Sequence, residues 1–205
     1  MLIISKQDTY ANLIYDNRNL EEVTSYKYLG IDIHYKLNWN YSIEKRINGV
    51  WKAYFGLENN YKLANLVMWD KNKFLFETLV ILVILYGCEV WGCNISKQYW
   101  RKIEQIQKRF LTYNLKIKSN TPYPILFIEV GLSPIESMAM TRYMMYKLKR
   151  NNMGNERLPK FALNSSQNQL QLKLVWCKDT MAWLNHWGIN ENDILQNIDN
   201  VKNIM

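Results

Sequence analysis

The sequence predicts an α+β fold, with short N-terminal antiparallel β-strands followed by a predominantly α-helical bundle. Three observations carry this. Up to His34 the apolar residues fall in short runs rich in Ile, Leu and Tyr: "LIIS", "NLIY" and "YKYLGIDI". Turn residues such as Asp16-Asn17-Arg18-Asn19 separate them. From about Ser42 the apolar period lengthens to that of a helix. With 205 residues, 48% hydrophobic and 14% aromatic, the chain can bury a core and is not a disordered segment.

The elements follow in order. The opening strands read as the edge of a larger sheet, and such an unpaired edge predicts poor solubility. Ile43, Ile47, Val50, Trp51, Tyr54 and Phe55 then share one face of a first helix. Asp70 is a candidate N-cap for a second helix running through Phe74 to Tyr86. The run Leu79–Tyr86 is apolar on every side, which predicts a central, buried segment. A buried strand competes for that run alone, and the distance from the cap favours helix. A third helix spans about Ser96 to Leu115 with Trp100, Ile103, Ile106, Phe110 and Leu111 inward. "SPIE" opens a fourth, with Ser133 as N-cap, Pro134 at the first position and Glu136 reaching back, and it runs to about Arg150. The segment 151–170 is polar and loop-like. A last helix places Trp176, Thr180, Trp183, Leu184 and Trp187 on one face and ends at Gly188. Ile194, Ile198 and Val201 allow a short helix in the Asn-rich tail.

Charge is distributed unevenly. The formal net charge is +8, and residues 97–150 hold the whole excess, with eleven Lys/Arg against three Asp/Glu. Lys97, Arg101 and Lys108 share a helical face; Lys102 and Arg109 make a parallel row, and Lys116 and Lys118 extend it. Arg142, Lys147, Lys149 and Arg150 add to the charge on the fourth helix. Rows of this kind track a phosphate backbone with salt-dependent, sequence-independent affinity, although a solvated helix face has the same pattern.

Signs of catalysis are few. No two aspartates are adjacent, glycines are scattered singly, and the histidines His34 and His186 are far apart. His34 reads as a structural histidine and His186 as packing beside Trp183 and Trp187. Cys88, Cys93 and Cys177 lack zinc-ligand spacing and suggest a reducing, intracellular setting. The longest apolar run, Leu79–Tyr86, is too short to span a bilayer, so no membrane partner is expected. Tyr26 and Tyr28 lie on one face of a strand with Lys27 opposed, and Gly30 allows a close approach of another backbone.

In order along the chain, "YKYLGIDIHYKLNWNYSI", "ILYGCEVWG", "IEQIQKRFL" and "EVGLSPIES" resemble the region just after the catalytic motifs of reverse transcriptases from non-LTR (LINE-type) retrotransposons. The resemblance covers most of residues 1–150 and is loose beyond. It implies that 1–37 are residual palm strands with a primer-grip-like hairpin, Tyr26-Lys27-Tyr28-Leu29-Gly30. It implies thumb-like helices over 38–95, basic connector helices over 96–150, and a polar linker with an amphipathic helix over 151–205. Family enzymes polymerise DNA on RNA with two Mg²⁺ ions held by aspartates, including an Ala-Asp-Asp motif. That motif is absent here, as is the zinc-knuckle cluster. The expectation is therefore a non-catalytic polymerase fragment that needs no cofactor of its own. Its partners would be RNA, an RNA–DNA hybrid, or the remaining polymerase domains. An independent helical nucleic-acid-binding module and a protein-interaction module are the alternatives.

Overall fold

The computed structural model describes residues 14–64, 68–118, 120–160, 185, 186 and 188. The "LIIS" strand, Cys177, most of the last amphipathic helix and the tail lie outside these residues. Short antiparallel strands lead into helices, the α+β arrangement expected from sequence.

Among the described residues, two β-hairpins come first. β1 (Ile14–Tyr15) pairs with β2 (Arg18–Asn19), and β3 (Ser25–Tyr28) pairs with β4 (Ile31–His34). Both turns are two residues long with positive φ at each position: 50° and 56° at Asp16 and Asn17, 47° and 81° at Leu29 and Gly30. This is the type I′ pattern, whose twist matches that of paired strands. "YKYLGIDI" is therefore two strands and a turn, not one run. Gly30 serves that backbone geometry, and the nearest atoms to its absent Cβ belong to the Tyr86 ring, at 3.2 Å.

The helices form two compact units that interleave along the chain. Of the described residues, one unit holds those up to Gly87 and from Ile95 to Ile135; the other holds Cys88–Asn94 and those from Glu136. In the first, α1 (Trp39–Leu63) starts at Asn38, whose side chain accepts the Asn40 amide at 3.0 Å. Ile43, Ile47, Val50, Tyr54, Leu57 and Tyr61 are buried at alternating spacings of four and three. Gly49 and Gly56 cost this helix about 1 kcal/mol each relative to alanine. Each fully buried Ile, Val or Leu contributes about 1.5–3 kcal/mol, so packing, not propensity, holds α1. Phe55 was expected inward but is exposed, lying under the Arg109 guanidinium and stacked on Trp51.

α2 (Trp69–Phe76) has Met68, not Asp70, at its N-cap position, without a side-chain cap, and Asp70 lies in the first turn where its carboxylate favours the helix dipole. A π-helical turn, Glu77–Ile81, carries the helix into α3 (Leu82–Leu85). The expected all-round burial does not hold. Val80, Ile81, Ile84 and Leu85 are buried, whereas Leu79, Leu82, Val83 and Tyr86 are exposed, because the helix packs on one side only.

α4 (Cys88–Trp91) and a 3₁₀ turn (Gly92–Asn94) belong to the second unit. α5 (Lys97–Leu115) starts after Ser96 and buries the predicted stripe Trp100, Ile103, Ile106, Phe110 and Leu111. Phe110 stacks on Phe76 at 4.0 Å between centroids, which joins α5 to α2. α6 (Tyr123–Val130) was not expected, and it ends at Gly131 with φ 62°. α7 (Ile135–Asn151) starts next to the predicted Ser133-Pro134 boundary and ends near Arg150 as expected. In the second unit its buried face is Ala139, Met140, Tyr143, Met144 and Leu148. His186, expected to pack, is exposed. Among the described residues, no single helix is long and apolar enough to cross a membrane.

Candidate functional site

The hairpin β3–β4 and the cleft beneath it form the candidate site. β4 is half-buried along its length, whereas β3 is exposed from Tyr26 to Tyr28. Tyr26 is 56% exposed and Tyr28 58%, so neither is the half-buried core residue that a strand reading allows. Their partners across the ladder are Ile33 and Ile31; Lys27 stands opposite Asp32. An aromatic–lysine–aromatic edge is thus presented to solvent. The exposed rings of Tyr26 and Tyr28 lie on one face of the hairpin, where they can stack on bases, and Lys27 lies on the opposite face with Asp32, where it can meet phosphate.

Below the edge is an open cleft of about 470 Å³, whose walls come from the hairpin, from α1 and from the end of α3. Lys27, Lys45 and Arg46 give it three cations against one acid, Asp32, with an apolar side of Leu82, Val83 and Tyr86. The Ser42 hydroxyl donates to the Asp32 carbonyl, and Lys45 Nζ donates to Asp32 Oδ1 at 2.9 Å. That hydrogen bond and the carboxylate's charge hold the Lys45 ammonium above its ordinary pKa range, so it remains a cation. Arg46 is held by three carbonyls: Tyr86 at 2.8 Å, Val83 at 3.1 Å and Gly30 at 3.3 Å. The Tyr86 hydroxyl donates to the Leu29 carbonyl at 2.7 Å. His34 Nδ1 accepts the Lys36 amide at 3.2 Å, a local structural contact.

The basic face on α5 divides in two. Lys97 and Arg101 are exposed and Lys108 is half-exposed along one row, with Lys116 and Lys118 exposed beyond the helix. Lys102 and Arg109 turn toward α1 instead. Lys102 pairs with Glu44 at 3.3 Å, and Arg109 lies 3.7 Å from Glu58. Glu58 is buried, also pairs with Lys62 at 3.1 Å, and so needs these cations to offset its desolvation. Both members of the second row are thus structural as well as basic. Arg142, Lys147 and Arg150 are half-buried on α7, where Lys147 and Arg150 line a smaller hollow with Glu89, Cys93, Tyr143 and Tyr146.

The sequence singles out the hairpin residues but not those of the cleft. Ser42, Lys45 and Arg46 of α1 line the cleft without having been singled out in the sequence, and Tyr86, expected in a buried run, is exposed beside it. One signal was available: Ser42 and Arg46 sit beside Ile43 and Ile47 at the margin of the apolar stripe, where polar side chains reach a neighbouring element. Among the described residues no cluster of His, Cys, Asp or Glu could hold a metal ion. Comparison with known proteins gives no matching family model, no matching curated protein and no matching solved structure.

Proposed function

We propose that this chain is a nucleic-acid-contacting module, equivalent to the primer-grip, thumb and connector region of a LINE-type reverse transcriptase and without catalytic activity of its own. The observation that carries the proposal is the exposed Tyr26-Lys27-Tyr28 edge above a cleft with three cations and one acid. The row Lys97, Arg101 and Lys108 supplies further cations for a polyanion. RNA or an RNA–DNA hybrid is the ligand, contacted through backbone and base faces and not read by sequence. No adjacent aspartates are present to hold a metal pair, so polymerisation needs a catalytic centre from elsewhere.

The test is binding of the chain to an RNA–DNA hybrid across a salt series. The expected result is a linear fall of log K with log salt, with each neutralised phosphate contributing about 0.7–0.9 to the slope. Reversing Lys27, Arg101 and Lys108 to glutamate should flatten that slope. An unchanged slope would remove these residues from the interface. In a primer-extension assay with Mg²⁺ no incorporation is expected, and measurable incorporation would overturn the non-catalytic reading. A second reading, a protein-interaction module, is favoured by the exposed Leu79, Leu82 and Val83. Absence of hybrid binding at low salt would select it over the first.

A further inference from the structure

Leu29 is poorly suited to its place. It occupies the first central position of a type I′ turn with φ 47°, where glycine, asparagine or aspartate is preferred, and its side chain is 72% exposed. The hairpin has four residues in each strand, and a two-stranded ribbon of that size is marginal by itself in water. The conformation must therefore be held by contacts from outside the hairpin.

Those contacts come from two side chains. The Tyr86 hydroxyl donates to the Leu29 carbonyl at 2.7 Å, and its ring lies against Gly30, within 3.2 Å of where a Cβ would stand. Arg46 Nη2 donates to the Gly30 carbonyl at 3.3 Å, while Nη1 donates to the Val83 and Tyr86 carbonyls at the end of α3. The same guanidinium lies 5.6 Å from the centre of the Tyr86 ring. One cation thus caps the exposed carbonyls of a helix end and, with its other nitrogen, holds the tip of the hairpin. Next to it, Ile31 packs so closely over Gly87 that a Cβ there would lie 2.6 Å from Ile31 Cδ1. The hairpin tip is seated on the helix end at three successive residues.

We propose that Arg46 and Tyr86 are positioning residues that lock the Leu29–Gly30 turn and so fix the Tyr26-Lys27-Tyr28 edge for nucleic acid. This rests on the nucleic-acid reading of that edge. Although Arg46 lines the basic cleft, Nη1 and Nη2 both donate to backbone carbonyls, so its role is geometric and not that of a phosphate contact.

The experiment separates the latch from the binding function. Hydrogen exchange of the amides from Ser25 to His34 is measured in the free protein for wild type, Tyr86→Phe and Arg46→Met. Loss of one such hydrogen bond is expected to speed hairpin exchange roughly fivefold. Adding Leu29→Asn to Tyr86→Phe should return exchange toward the wild-type rate, because Asn-Gly favours the same turn without the latch. Hairpin exchange unchanged in both single variants would overturn the latch. Affinity for the RNA–DNA hybrid is measured separately. Both single variants should bind more weakly with the wild-type salt slope, roughly fivefold for Tyr86→Phe, which loses one hydrogen bond, and at least as much for Arg46→Met, which loses three. A slope lower by about 0.9 in Arg46→Met would make Arg46 a phosphate contact and overturn its positioning role. Faster exchange with unaltered affinity would likewise overturn positioning. Failure of the wild type to bind the hybrid at all would overturn the function itself, while the exchange rates would still report on the latch.

Discussion

Gln107 occupies a core position of α5 between Ile103, Ile106 and Phe110, and it is fully buried. A polar residue there is tolerated because both ends of its amide are used. Nε2 donates to the Ser133 carbonyl at 3.0 Å, and Oε1 accepts the Tyr123 hydroxyl at 3.0 Å. The amide orientation that makes both bonds is the only one that fits the two partners. Burial, with the nearby Glu104 charge adding to it, pushes the Tyr123 phenol well above its ordinary pKa, so it stays a donor. Replacing Gln107 with leucine keeps the bulk but leaves the Ser133 carbonyl and the Tyr123 hydroxyl without this partner. The expected loss is about 2 kcal/mol of unfolding free energy, read from denaturant midpoints at constant slope. A loss within the usual scatter of a surface change would show that those groups find other partners.

At the scale of elements, the π-helical turn between Phe76 and Leu82 has a specific prop. The Leu82 amide donates to the Glu77 carbonyl five residues back, and the normal ladder is interrupted before it. Thr78 Oγ1 donates to the Phe74 carbonyl at 2.8 Å and approaches that of Leu75 at 3.3 Å, covering acceptors near the irregular turn. Thr78→Val retains the shape and removes the donor. A loss of about 1 kcal/mol is expected in chemical denaturation, with helical circular dichroism otherwise unchanged. Such irregularity also marks how far the sequence was legible. α1, α5 and α7 were readable because their apolar residues recur at helical spacing and because Ser96 and Ser133-Pro134 mark starts. α6 was not, since Ile125, Leu126, Phe127 and Ile128 form a continuous apolar run without a period, and Pro122 and Pro124 are residues that normally interrupt a helix. The division of "YKYLGIDI" was hidden by Leu29, a residue that turn chemistry does not favour. The cleft was hidden for a further reason. Its members are separated by up to about sixty positions in the chain, from Lys27 to Tyr86, and only tertiary packing brings them together.

On the scale of the whole molecule, the tyrosines packed into the first unit set how stability depends on alkaline pH. The first unit buries Tyr54 and Tyr61 and half-buries Tyr123, each as a neutral phenol. The Tyr61 hydroxyl donates to the Asn72 carbonyl at 2.7 Å, and burial pushes its pKa up to about 12. Tyr54 moves in the same direction, first by burial and then by the charge of Glu58. An unfolded tyrosine ionises at about pH 10. Between that value and about 12, the unfolded chain therefore holds fewer protons than the folded one at Tyr61. The stabilisation is fully present below about pH 10 and is lost as pH rises through the folded value. Denaturant unfolding followed from about pH 8 upward should show a flat stability that falls once the unfolded phenols ionise near pH 10. Tyr61→Phe should be less stable at neutral pH, through loss of the bond to Asn72, yet lose less on going to alkaline pH. Equal alkaline slopes in the two proteins would show that the Tyr61 phenol ionises as readily folded as unfolded, and the decline would then have to be assigned to Tyr54 and Tyr123.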